Sequence, residues 1–178
     1  MTNLERLLSQ YAAYHLDRKN VITHFIGIPM IVFSIICLTA RAELSLFGMH
    51  ITLALIILIL SVIYYLKLDL VFGVIMAALF AISYPLALMI ADLSFGLWLL
   101  TSVGLFFVGW VFQFVGHFYE KKKPAFVDDL IGLAIGPLFV LAELVFLLGM
   151  RKELEAKMLD QAKKIREEMD LDTIQVSS

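Results

Sequence analysis

The chain has 178 residues, of which 61% are hydrophobic and 17% charged, against about 25% charged in a typical soluble domain. At a mean hydropathy of +0.91, so small a protein cannot hide its apolar residues inside itself, which excludes an ordinary soluble fold and makes lipid the expected solvent. A formal net charge of -2 gives no basic excess to attract nucleic acid, and the single cysteine, Cys37, allows no disulfide framework and no multi-thiolate metal site.

The N-terminus lacks the basic start, apolar middle and small-residue cleavage site of a signal peptide, so the first membrane segment is expected to stay in the mature protein. Leu4, Leu7, Leu8, Tyr11, Ala12 and His15 fall on one stripe of a helix, expected to lie in the membrane interface. Apolar stretches long enough to span a bilayer follow near residues 21–40, 47–66, 70–91, 93–118 and 127–150. Their short connections imply antiparallel neighbours. After residue 150 a charged stretch carries Leu154, Met158, Ala162, Ile165 and Met169 on one side, the pattern of a surface helix or of a helix packed on a partner.

Arg6, Arg18 and Lys19 before the first segment, Lys67 after the second, and Lys121, Lys122 and Lys123 after the fourth all fall on one side, the cytoplasmic one. Arg151 and Lys152 break the rule if the fifth segment simply crosses. That segment holds Asp128, Asp129, Glu143 and a central Gly136-Pro137 pair, which can split it into two half-helices that return to their starting side. The expectation is therefore an all-α, polytopic membrane bundle of four spans plus a re-entrant helical hairpin, with five plain spans as the alternative. It forms a single domain over residues 1–178: an interfacial helix and turn at 1–20, the bundle at 21–150 and a charged amphipathic tail at 151–178.

Four histidines are present: His15, His24, His50 and His117. His15 and His24 are nine residues apart and would face opposite ways on one unbroken helix. They converge only if the chain turns between them, which Asp17 and Asn20 allow, with Asn20 as candidate N-cap of the first span. Gln113, His117 and Glu120 share one face at the end of the fourth span. In an antiparallel bundle the start of span one and the end of span four lie on the same side, so His15, His24, His117 and Glu120 can gather at the cytoplasmic interface. His50 begins span two at the opposite surface and is expected to stand apart.

Imidazoles with a carboxylate and open positions suit ferrous iron that activates O2. His117-x-x-Glu120 is the reverse of the Glu-x-x-His pairs of di-iron bundles, and a second iron would need Asp128 or Glu143. The plain alternatives are interfacial anchoring for each histidine, interhelical hydrogen bonding for Gln113 and a topology signal for Lys121 to Lys123. Glu143, a carboxylate deep in an apolar segment, points to function or to a buried partner. Gly132 and Gly136, and Gly116 beside His117, suit close helix packing.

At these residues the chain resembles the Mpo1-like family. The resemblance runs through YHLDRKNVITHFIGIP, with Tyr14, His15, Asn20, Val21, His24 and Pro29, and through GWVFQFVGHFYEKKKPAFVDDL from Gly109 to Leu130. It ends with Pro137, Phe139, Glu143 and Leu148-Gly149. It implies an iron(II)-dependent dioxygenase of fatty acid α-oxidation that converts a long-chain 2-hydroxy fatty acid and O2 to the acid one carbon shorter and CO2. His15, His24 and His117 are then the implied metal ligands. Glu120 is a fourth ligand or a group bonded to one, while Asn20, Gln113, Lys121, Asp128 and Glu143 are candidates to support the site or meet substrate.

The reaction releases four electrons, enough to reduce O2 without a co-substrate. The substrate's chain needs lipid and its carboxylate needs water, so the reacting carbon belongs at the interface, in a bacterial inner membrane or the endoplasmic reticulum. A homo-oligomer is compatible with all of this. A desaturase-like di-iron enzyme would need many more histidines than four. A non-catalytic lipid-binding scaffold or small transporter explains the spans but leaves the convergence of His15, His24 and His117 an accident.

Overall fold

The structure is a computed structural model and describes residues 1–46, 49–122 and 131–177. Among these, seven helices run in the order α1 (Asn3–Ala12), α2 (Arg18–Ala40), α3 (Leu53–Leu68), α4 (Leu70–Ala91), α5 (Phe95–Glu120), α6 (Ile131–Leu147) and α7 (Lys152–Ser177). Between α2 and α3 a short antiparallel pair, β1 (Glu43–Leu46) and β2 (Met49–Thr52), sets Glu43 opposite Thr52 and Ser45 opposite His50. Three helices, α2, α4 and α5, are long and apolar enough to cross a membrane. The chain is a helical membrane protein by that measure.

Three details differ from expectation. The second apolar stretch, 47–66, is not helical throughout, because Met49–Thr52 pairs with β1 and helix starts only after Thr52, whose side chain accepts from the Leu55 amide at 3.1 Å. Among the described residues the fold is thus all-helical apart from this one strand pair, and α3 has 16 residues, about 24 Å against a hydrocarbon core of about 30 Å. Secondly, α6 runs unbroken through Pro137 over 17 residues, so the split expected at Gly136-Pro137 does not occur. One lost backbone hydrogen bond is tolerated where the helix is held on both sides of the proline by buried Ile135, Leu138, Phe139, Leu141 and Ala142. Gly149, at φ 80, ends the segment in the left-handed conformation, with the Met150 amide reaching back to the Val145 carbonyl at 3.1 Å. Thirdly, Asp17 and not Asn20 caps α2: its carboxylate accepts from the Lys19 amide at 2.7 Å, which leaves Asn20 in the first turn.

Two compact units make up the chain. The second, Ile26–Phe112, contains the α3–α4 hairpin, where Asp69 caps α4 by accepting from the Phe72 amide at 3.0 Å. Gly73 lies so close to the Leu66 backbone that a Cβ would sit 2.6 Å from its Cα. Ser34 donates to the Ser102 carbonyl at 2.8 Å and Trp98 to the Cys37 carbonyl at 2.9 Å, which ties α2 to α5 within this unit.

The first unit, Met1–Phe25 with Gln113–Ser178, is built around α1. A capping box starts that helix: the Glu5 amide donates to Thr2 Oγ1 at 3.1 Å, and the Thr2 amide donates to Glu5 Oε2 at 2.7 Å. The expected stripe is buried, with Leu4, Leu7, Leu8, Tyr11 and Ala12 all inside, packed against α6 and α7. The apolar side of α7 answers it, with Met158 and Ala162 fully buried. The helix expected in the membrane interface and the tail expected as a surface helix or a helix packed on a partner therefore cover each other.

Candidate metal centre

At the end of α1 the chain turns, with the Tyr14 amide on the Tyr11 carbonyl at 3.1 Å and the His15 amide on the Ala12 carbonyl at 2.8 Å. That turn brings His15 back over the first turns of α2, where His24 lies, while His117 approaches from the last turn of α5. All three imidazoles are buried, and one ring nitrogen from each lies within 4.8 Å of the others. Ring centroids are 4.4 Å apart for His15 and His24, 4.9 Å for His15 and His117, and 5.2 Å for His24 and His117. The expected histidine cluster is thus present, and it is the one group of at least three potential metal-binding side chains among the described residues.

The hydrogen bonds fix which nitrogens face inward. His15 Nδ1 lies 2.7 Å from the Tyr11 carbonyl and His24 Nδ1 lies 2.9 Å from the Asn20 carbonyl. A carbonyl can only accept, so both Nδ1 atoms carry the proton and both Nε2 atoms carry a lone pair. These two Nε2 atoms are 3.0 Å apart. Two lone pairs at that distance repel unless a cation lies between them, so the pair fits a metal ion that both residues would hold.

Burial, and after it the neighbouring His24, hold the His15 pKa well below the usual imidazole value, so His15 is neutral and available as a ligand. His117 adds a buried Nδ1 with no hydrogen-bond partner. The donor set fits a divalent metal that takes nitrogen ligands, such as ferrous iron. The backbone carbonyls on Nδ1 are the supports that orient such ligands.

Aromatic rings wall the centre. Tyr11 stacks on His15 at a centroid distance of 4.2 Å and an interplanar angle of 6°, and Phe139 of α6 lies 5.5 Å from His15 and 4.9 Å from Tyr11. Phe139 was singled out only as one of the residues that carry the family resemblance, because nothing else in an apolar segment gives one phenylalanine a part in the site.

Glu120 does not join the imidazoles. Its Oε2 accepts from the Asp17 amide at 2.8 Å and Asn20 Nδ2 at 3.1 Å, and its Oε1 accepts from Arg166 Nη2 at 2.6 Å. Glu120 was expected as a fourth ligand or as a group bonded to one; in the structure its carboxylate stands outside the imidazole group and braces the turn that carries His15. Asn20 also donates to the Tyr14 carbonyl at 3.2 Å, so one amide ties the α1–α2 turn to α5. Gly116 makes room for this, since a Cβ there would overlap Thr23 Oγ1 and Asn20 Oδ1.

Gln113 is buried, with an Nε2 that has no hydrogen-bond partner. Lys121 is exposed just past α5, in the left-handed conformation at φ 57. Glu143 lies half-buried on α6, outside the imidazole group. Asp128, with Asp129 and Lys123, falls outside the described residues. His50 is exposed on β2 beside Glu43, as expected. Arg166 of α7 was missed, being one of many charges in a tail whose pattern gave no reason to single it out.

The sequence matches the family described as "2-hydroxy-palmitic acid dioxygenase Mpo1-like" over residues 1–148. It is 35% identical over 158 residues, 88% of this chain and 87% of the relative, to the "2-hydroxy-palmitic acid dioxygenase MPO1" of Saccharomyces cerevisiae. No solved structure matches. A match over residues 1–148 takes in every histidine of the cluster, and with it this chain belongs to the Mpo1-like family.

Proposed function

We propose that the chain is an iron(II)-dependent dioxygenase of long-chain 2-hydroxy fatty acids, converting RCH(OH)COOH and O2 to RCOOH, CO2 and water. The substrate class comes from the relative's name. The observation that carries the reading is the pair of inward-facing Nε2 atoms of His15 and His24 at 3.0 Å, with the buried His117 beside them. His15, His24 and His117 would hold the iron, which when bound would supply one-electron chemistry toward O2 and Lewis acidity toward the hydroxy acid.

The protein's own part is positioning. The Tyr11 and Asn20 carbonyls keep the Nδ1 protons of His15 and His24 in place, and Glu120 holds the turn between those residues. Tyr11 and Phe139 exclude water from one side of His15. The unpartnered Nε2 of Gln113, one turn from His117, is a donor suited to the substrate's carboxylate or hydroxyl. Ile22, Phe114 and Phe118 are exposed beside these residues on α2 and α5, so an acyl chain can stay in lipid while its head enters the site. Lys121 suits attraction of the carboxylate from the aqueous side.

The chain is further proposed to be one membrane domain with this site at the cytoplasmic face. The packing of α7 on α1 supports a reading in which α6 does not cross and Arg151 and Lys152 lie on the side of Arg6 and Arg18, as the charge rule requires. Anaerobic reconstitution with iron(II) tests the metal reading. The native protein is expected to hold iron stoichiometrically and His117→Ala to hold none, and equal iron in both would defeat the assignment.

A further inference from the structure

Helix α7 begins beyond the residues matched to the family, yet one of its side chains reaches the supports of the histidine centre. Arg166 Nη1 donates to the Ala13 carbonyl, two residues before His15, and Nη2 donates to Glu120 Oε1 at 2.6 Å, three residues after His117. The pair is secluded, with side-chain exposure of 16% for Arg166 and 1% for Glu120. One planar guanidinium therefore spans the α1–α2 turn and the end of α5, and the carboxylate it holds takes the Asp17 amide and Asn20 Nδ2 on its other oxygen. Asn20 in turn supplies the carbonyl that orients His24. From Arg166 an unbroken series of hydrogen bonds leads to both elements that set the His15–His24 approach.

We propose that Arg166 is a positioning residue for the three-histidine centre, so that the C-terminal helix is part of the machinery that gives the site its metal affinity. It touches neither substrate nor metal. A fork of donors is needed because two acceptors on different elements must be held at once, which a lysine ammonium does poorly. Lys157 is a suitable contrast: it also joins α7 to α1, through Glu5 at 3.5 Å, but its partners do not lead to the histidines.

The proposal rests on the metal-centre reading, and the test separates the two. The full-length, metal-free protein in detergent is titrated with cobalt(II), following the visible ligand-field bands, for the native chain, Arg166→Ala, Arg166→Lys and Lys157→Ala. Loss of an outer support typically weakens a metal site by about 10–100-fold, and a loss of that size is expected for Arg166→Ala. Arg166→Lys is expected to keep Glu120 neutralised and the protein folded while still binding at least several-fold more weakly, with altered bands. Lys157→Ala should match the native chain.

Should Arg166→Ala fail to fold because Glu120 is left buried and unpaired, Arg166→Lys carries the decision. Native-like affinity and bands in a folded Arg166 variant would overturn the proposal alone, as would an equal loss in Lys157→Ala. No cobalt binding by the native chain would overturn the metal reading and the proposal with it.

Discussion

His15 and His24 present their Nε2 atoms to each other at 3.0 Å while both Nδ1 atoms are held by backbone carbonyls, those of Tyr11 and Asn20. Neither ring can donate to the other in this tautomer, so the pair could hold a cation, as the proposed metal centre requires. The two residues should act as a unit. His15→Ala and His24→Ala are each expected to abolish stoichiometric iron and turnover, and the double variant to be no worse than either. Iron analysis and product yield check this, and full activity with normal iron in His24→Ala would contradict it.

The tight approach at Gly116 yields a second prediction. A Cβ there overlaps Asn20 Oδ1 and Thr23 Oγ1, and Asn20 cannot yield without disturbing Tyr14, Glu120 and the carbonyl that holds His24. Gly116→Ala is expected to destabilise the protein by about 1–3 kcal/mol and to lower iron retention. Denaturation midpoints and iron content report the two effects separately.

The burial of His15 makes the metal-free protein sensitive to acid. Its folded pKa lies well below the usual value, with burial the main cause and His24 the next, whereas the unfolded chain takes up this proton near pH 6.5. The unfolded state therefore binds more protons as pH falls below about 6.5, and folding stability drops at up to about 1.4 kcal/mol per pH unit from this group until the folded pKa is reached. Unfolding of the metal-free protein at pH 7 and pH 5.5 should show the loss, and His15→Gln should reduce it.

Much of the site was legible in the sequence because its logic is one-dimensional. His15 and His24 could meet only through a turn, the residues between them could make one, and His117 falls at the antiparallel end of another apolar helix. The α1 stripe was legible for the same reason, since Leu4, Leu8 and Tyr11 repeat with the helical period. What the stripe faces was not legible. An apolar face seeks lipid or protein equally, and only the fold shows it meeting α6 and α7. The fate of Glu120 was hidden similarly, because a carboxylate one turn from a histidine has the same spacing whether it binds metal or a distant Arg166. The continuity of α6 at Pro137 depended on packing that local propensity does not encode.

Contact between α1 and α7 carries a prediction about topology. In a variant with Cys37 replaced, single cysteines at Gln10 and Lys163 should react with an impermeant thiol reagent from the same side of sealed vesicles. Labelling from opposite sides would mean that residues 127–150 cross the membrane and that α1 and α7 do not pair there.

The most direct test follows carbon. Native protein loaded with iron(II) is given 2-hydroxyhexadecanoate labelled with carbon-13 at C1, together with O2, and the products are identified by mass spectrometry. Unlabelled pentadecanoate and labelled CO2 are expected in equal amounts, with neither formed without O2 or by His117→Ala. Iron-loaded native protein that leaves the hydroxy acid unchanged, or forms pentadecanoate equally well without His117, would contradict it.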